Sequence, residues 1–386
     1  MDISYSDNLQ RIPPYAFVEI SKKKKSMLAK GIDLIDLGIG DPDLPTPRGI
    51  CEAMKRAVDN SETHRYPMDA GRTDFRRAWA KWCRRRFGIS LEIEQIQVLA
   101  GSKEGLCNIA RAFVNPGDKV LVPDPGYPGY ANGAARLSGG VPVQMPLLEE
   151  NNFLIDLDAI NHSDAKEAKL MYINYPNNPT GAVADEDFYG YVVDFAEDND
   201  IIVVSDNAYS EITFDGYKAQ SFLRTGGAVD VGVEMHSFSK TYNMTGWRLG
   251  VAYGNEEIIA GLSKVKENID SGVFEAIQMA GIYALENYEK PPALDEYNTR
   301  MDTLVEAFND AGIAAEKPKG TFYLWARVPD GETSSSFVSR VLEEAHVVLT
   351  PGTAFGEYGE GYFRASITSS TSRIREAAER IKKLRW

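Results

Sequence analysis

Cysteine is scarce in this chain, and Cys51, Cys83 and Cys107 stand too far apart to form a CxxC pair. That spacing excludes a zinc ribbon and a disulfide scaffold, and three scattered thiols suit a reducing compartment. Long apolar runs are also missing, so no stretch predicts a helix that spans a bilayer. The opening residues, Met1-Asp2-Ile3-Ser4-Tyr5-Ser6-Asp7, lack the basic-then-apolar order of a signal peptide. Basic residues are outnumbered, 42 against 56 acidic ones, for a net charge of −14. Such a balance disfavours a nucleic-acid surface and leaves anionic ligands to local positive pockets. Repeats and low-complexity linkers are absent. The expectation is a cytoplasmic globular protein, and 386 residues allow two or three domains.

Residues 15–30 carry Phe17, Ile20 and Leu28 at helical spacing before a stop at Gly31, and the lysine run 22–25 reads as a solvated face near the helix end. Residues 32–37 read as a strand that enters Gly38-Ile39-Gly40-Asp41-Pro42-Asp43. This glycine pair lacks the third glycine of a dinucleotide-binding turn, and Pro42 and Pro45 block the helix that would have to follow. Two glycines here suit a close approach of backbone to a ligand. Amphipathic helices at 50–58 and 73–87 flank the loop His64-Arg65-Tyr66-Pro67-Met68-Asp69-Ala70-Gly71. A strand at 95–99 ends in Ala100-Gly101-Ser102-Lys103-Glu104-Gly105 ahead of a helix at 106–113. That order aims backbone N–H groups at an anion, although an ordinary capped helix shares the pattern.

Short apolar strands at 119–122, 169–173, 201–204 and 231–238, with helices such as 185–198 between them, predict an α/β fold with a mostly parallel sheet. Ligands of such sheets lie beyond the carboxyl ends of the strands. Those ends carry Pro123-Asp124-Pro125-Gly126-Tyr127-Pro128, Asn174-Tyr175-Pro176-Asn177-Asn178-Pro179-Thr180-Gly181 and Ser205-Asp206-Asn207-Ala208-Tyr209. Past Pro291-Pro292 the pattern changes to helices at 294–309, 335–345 and 372–384 with strands at 321–326, 347–350 and 362–367. This is a smaller α+β unit, which the N-terminal arm joins. The expected division is a large domain at 46–285 and a small one made of 1–45 and 286–386.

The richest stretch is His236-Ser237-Phe238-Ser239-Lys240-Thr241-Tyr242-Asn243-Met244-Thr245-Gly246-Trp247-Arg248. An amine at a strand end can condense with an aldehyde, while small hydroxyls and a guanidinium hold a phosphate dianion. Pyridoxal phosphate presents both groups. Its ring needs a carboxylate opposite the pyridine nitrogen to act as an electron sink, and Asp206 is the candidate. Asn178 and Tyr209 suit the ring hydroxyl, and Tyr127 offers a face for stacking. Ser102, the backbone N–H of Lys103, Ser237, Ser239 and Arg248 suit the phosphate. Taken singly, each has an ordinary structural explanation: a solvated lysine, a turn-capping aspartate, a loop.

The ordered set, Asn177-Asn178-Pro179-Thr180-Gly181, Asp206 with Tyr209, and Ser237 to Lys240 followed by Arg248, resembles the class I/II aminotransferases of PLP-dependent transferase fold type I. The resemblance runs nearly end to end. It implies Lys240 as the Schiff-base lysine, Asp206 on the pyridine nitrogen, Tyr66 reaching the phosphate of a neighbouring subunit in a homodimer, and Arg364 gripping the substrate α-carboxylate. Within that group, Arg11-Ile12-Pro13-Pro14-Tyr15-Ala16-Phe17 and Asp36-Leu37-Gly38-Ile39-Gly40-Asp41-Pro42-Asp43 are most similar to LL-diaminopimelate aminotransferases, which implies substrate contacts at Tyr15 and Gly40. Asn268-Ile269-Asp270-Ser271-Gly272-Val273-Phe274-Glu275 departs from the Asn-rich segment of some members, so the contact to the far end of the substrate is open. Asp69 is a candidate for a distal ammonium, with an exposed loop residue as the plainer account. The implied activity passes an amino group from an amino acid to an oxo acid such as 2-oxoglutarate, in lysine biosynthesis. An aspartate, aromatic or broad-specificity aminotransferase and a cystathionine-type β-lyase share these motifs. A PLP-binding regulator would carry a DNA-binding domain, and this acidic chain begins directly with the enzyme pattern.

Overall fold

A computed structural model describes residues 1, 3–13 and 18–384. Twelve strands occur in the order β1 (Ile35–Asp36), β2 (Ile96–Leu99), β3 (Lys119–Asp124), β4 (Val141–Pro146), β5 (Ala168–Ile173), β6 (Ile202–Asp206), β7 (Gly232–Ser237), β8 (Gly250–Gly254), β9 (Tyr323–Arg327), β10 (Val347–Val348), β11 (Thr350–Pro351) and β12 (Tyr362–Ser366). Seven form one sheet in the order β2-β8-β7-β6-β5-β3-β4. Its pairings are parallel except where β8 meets β2 and β7. The carboxyl ends of β2, β3, β5, β6 and β7 therefore share one edge, and the start of antiparallel β8 joins them there.

Both faces of the sheet's middle are covered, which is why β3, β5 and β6 carry unbroken apolar runs. Val203 belongs to one core with Phe75, Trp79, Val192 and Ala280. The next residue, Val204, belongs to the opposite core with Leu106, Ile109, Ile258 and Leu262. The helix Thr73–Phe87 shows the logic locally. Its buried Phe75, Ala78, Trp79, Trp82, Cys83 and Phe87 fall on one face, Arg84 to Arg86 fill the last turn, and left-handed Gly88 (φ 76°) ends it.

A third core lies apart from the sheet. It joins Ile35 and Leu37 to Tyr297, Met301, Phe337, Phe363 and Ile374, beside the antiparallel β11-β12-β9 sheet. β1 pairs with β10, Ile35 opposite Val347, so the N-terminal strand is sewn to the C-terminal part. Residue 285 lies in the last turn of the helix Glu275–Asn287, and Leu285 packs in the sheet core while Ala293 packs in this third one. Ala208, Tyr209, Ile212 and Phe214, which follow β6, also reach into it.

Several elements differ from the expectation. The helix begins at Ser102, not 106, with Gly101 as its cap. The strand expected at 32–37 is two residues long, and the helix expected at 15–30 is seen as Val18–Ala29. β4 and β8 were not expected. β4 contains Pro142 and Pro146, tolerated because it is the edge strand of the sheet. No helix among the described residues is long and apolar enough to cross a membrane.

Candidate active site

Gly40, Ser102, Lys103, Tyr127, Asn178, Asp206, Tyr209, Ser237, Ser239, Lys240, Arg248 and Arg364 line one cavity of roughly 1580 Å³ at the shared sheet edge. At its centre Lys240 sits in the single helical turn Phe238–Thr241 that follows β7, capped by Ser237. Its Nζ donates to the Gly40 carbonyl at 3.0 Å and lies 5.5 Å from the Phe322 ring centroid.

Asp206 ends β6, and only 6 % of it is exposed. Burial pushes its carboxyl up from the usual 3.8 to about 6, against the hydrogen bond from the Tyr130 hydroxyl that lowers it. That hydroxyl donates to Oδ2 at 2.8 Å, while Oδ1 has no partner. Asn174 Nδ2 donates to the Asp206 carbonyl at 2.6 Å, and Asn174 Oδ1 accepts from the Asn178 N–H at 2.8 Å. One asparagine thus locks two strand ends together.

The anion end is built from β2 and β8. Gly101 has φ 87°, and a Cβ placed there would lie 2.0 Å from Arg248 Nη2. Gly250 is equally constrained, since its Cβ would meet the Ser102 nitrogen at 2.7 Å. Small residues let the guanidinium and the first turn of the helix Ser102–Phe113 converge. Arg248 donates to the carbonyls of Thr245 (3.0 Å) and Ala100 (3.1 Å), with the Ser239 hydroxyl at 3.5 Å.

The opposite end centres on Arg364 of β12. Its Nη1 donates to Asn178 Oδ1 and its Nη2 to the Gly38 carbonyl, both at 2.8 Å. The guanidinium packs near two rings, 4.0 Å from the Tyr323 centroid and 4.6 Å from that of Phe355. Tyr323 also meets the Tyr209 hydroxyl at 3.2 Å and fills the space beside Gly40, where a Cβ would come within 1.9 Å of its oxygen. Arg300 steadies the adjoining segment by gripping both Asp43 oxygens, at 2.6 and 3.1 Å.

The family pattern "Aminotransferase class I and II" matches residues 32–381. The chain belongs to this family. An LL-diaminopimelate aminotransferase of Aquifex aeolicus is 52% identical over 386 residues, with 99% of each chain covered. Another, of Moorella thermoacetica, is 51% identical over 379 residues, with 97% of each covered. Among solved structures, apo-BacF from Bacillus subtilis is similar at 40% identity with a TM-score of 0.93, over 100% of this chain and 99% of that one. The protein is a pyridoxal-phosphate-dependent transaminase.

The residues of this aminotransferase fit the cofactor. Asp206 Oδ1 is a buried carboxylate oxygen without a donor, which a ring N–H would satisfy. The glycine-lined turn before Ser102 with Arg248 forms a cradle that a Cβ would fill. Of the expected residues, Tyr66 is not among those that line the cavity. Tyr15 lies outside the described residues. Tyr66 is 91% exposed on the surface of this single chain. Asp69 is exposed as well. Its loop packs against the divergent segment, because a Cβ on Gly272 would lie 2.7 Å from the Met68 carbonyl oxygen.

Tyr130, Tyr323 and Phe355 are site residues that the sequence did not reveal. Tyr130 follows the strand-end run Tyr127-Pro128 and had only its hydroxyl to mark it. Tyr323 sits in an apolar strand and reads as core, which it also is.

Proposed function

We propose that this transaminase moves the amino group of LL-2,6-diaminopimelate to 2-oxoglutarate, in lysine biosynthesis, as a cytoplasmic homodimer. The substrate assignment is carried by one observation: relatives about half identical from end to end are named LL-diaminopimelate aminotransferases. Cysteine usage and charge support the compartment. We also infer a large domain at 46–285 and a small one from 1–45 and 286–386, supported by the separate cores.

When bound, pyridoxal phosphate supplies an aldehyde and a ring that accepts electron density from the substrate Cα. Asp206 would hold the ring nitrogen protonated, with Tyr130 and Asn174 fixing the carboxylate. Asn178 and Tyr209 would hold the ring hydroxyl, and Tyr127 would cover one face. Ser102, the Lys103 N–H, Ser237, Ser239 and Arg248 would take the phosphate, with Tyr66 of a second copy completing it. Arg364 would bind the α-carboxylate as a two-pronged donor, with Gly40 and Tyr15 beside it. Lys240 would carry the proton to and from the substrate Cα, since its amine already lies between the Gly40 carbonyl and Phe322.

The exposed Tyr66, Met68, Ile269 and Phe274 support a second copy as the partner for this surface. The test supplies 2-oxoglutarate and compares glutamate formation from LL-diaminopimelate, aspartate and alanine, with release of pyruvate and ammonia from cystathionine followed in parallel. Diaminopimelate is expected to be the best donor by kcat/KM. A preference for aspartate would remove the substrate assignment, and cleavage of cystathionine would replace transfer by elimination.

A further inference from the structure

Asp124 is a buried carboxylate with no part in the chemistry above. It ends β3 with 3 % of its surface exposed, and among the described residues no cation pairs with it. Burying a carboxylate costs free energy unless donors replace its water. Here Oδ2 accepts the backbone N–H of Glu357 and Oδ1 that of Tyr358, each at 3.1 Å. Two residues further on, the Gly126 N–H donates to the Phe355 carbonyl at 2.8 Å. Gly356 (φ 141°) lets the chain come this close, because a Cβ there would lie 1.9 Å from Asp124 Oδ1. The sheet edge and the loop at 352–359 are thus joined by three hydrogen bonds around Phe355, whose ring lies against Arg364.

We propose that Asp124 is a positioning residue for substrate binding: it latches the 352–359 loop to the end of β3 and so holds Phe355 against the guanidinium that receives the substrate carboxylate. This rests on the role given to Arg364 above. A planar guanidinium packed against two rings presents its N–H edge in one orientation, and orientation is what a two-pronged contact to a carboxylate needs. Releasing the loop removes one of the two rings. The result is weaker binding of both the amino acid and the oxo acid, with the cofactor end left as it was.

The test compares Asp124→Ala, Asp124→Asn and Arg364→Ala with the unaltered holoenzyme. Asp124→Ala is expected to raise KM for donor and acceptor about tenfold, the worth of hydrogen bonds to a charged group, with kcat changed far less. Asp124→Asn keeps the volume and one acceptor oxygen, and should fall between the two. Amide hydrogen exchange of Glu357 and Tyr358, measured without cofactor or substrate, should quicken in Asp124→Ala while the amides of β5 stay protected. Should Asp124→Ala not fold, Gly356→Ala attacks the same contact from the loop side. Unchanged exchange at Glu357 and Tyr358 would overturn the latch, and faster exchange with unchanged KM would overturn its role in binding. Unchanged KM in Arg364→Ala would instead remove the reading of Arg364 itself.

Discussion

Asp206 and Asp124 are both raised to about 6, in each case chiefly by burial. A carboxyl raised above its ordinary 3.8 lends the fold stability that is complete below that value and is lost as the pH climbs through about 6. Raising a buried carboxyl that far corresponds to on the order of 3 kcal/mol per group. Buried His236, pushed down to about 3 by burial, acts in the opposite sense over the same range, so the share of Asp206 is read from a difference. Between pH 4.5 and 7.5 the cofactor-free Asp206→Asn protein should gain melting temperature relative to the unaltered one. Thermal scans across the range measure it, and equal slopes in the two proteins would contradict the account of Asp206. Individual residues were legible where a polar group broke an apolar run at a strand end, as Asp206 and Lys240 do. Tyr130 and Tyr323 were not, because an aromatic ring in a buried segment satisfies packing and chemistry alike, and only the hydrogen-bond partner separates the two.

The element that matters most at the anion end is the turn into the helix Ser102–Phe113. Gly101 is required there twice, for its left-handed φ and for the space taken by Arg248. Gly101→Ala should weaken pyridoxal phosphate binding about tenfold or more, because strain of this kind costs one to a few kcal/mol and displaces the guanidinium. Equilibrium titration of the cofactor-free protein would show it, and unaltered affinity would place the phosphate elsewhere. The sequence announced this turn but misjudged the helix start, since Ser-Lys-Glu-Gly reads as loop until its donors are seen to face a site. β4 escaped notice because its prolines argue against a central strand, and only the sheet order reveals an edge. β8 is short, bounded by Gly250 and Gly254, and antiparallel where its neighbours are parallel.

Across the whole molecule, strand and helix alternation was enough to foresee a parallel sheet, and the change of pattern after Pro291-Pro292 foresaw a second core. The contact between the two halves was not foreseeable, because Arg364 meets Asn178 and Lys240 meets Gly40 only on folding, from positions 186 and 200 residues apart. The proposed dimer has its own consequence. If Tyr66 completes the neighbour's site, mixed dimers of Lys240→Ala and Tyr66→Ala subunits contain one intact site. Co-expression of the two inactive variants should then recover about a quarter of the original activity by statistical pairing of subunits in a two-fold dimer. No recovery would mean that Tyr66 serves its own chain, and an active Tyr66→Ala homodimer would mean that it serves no site. Whether Lys240 and Asp206 hold pyridoxal phosphate for transamination of diaminopimelate can be read from the visible absorption of the cofactor-loaded protein. Adding LL-diaminopimelate should abolish the band, and 2-oxoglutarate should restore it. A band that diaminopimelate leaves untouched would contradict the substrate, and no band at all after addition of pyridoxal phosphate would contradict the site.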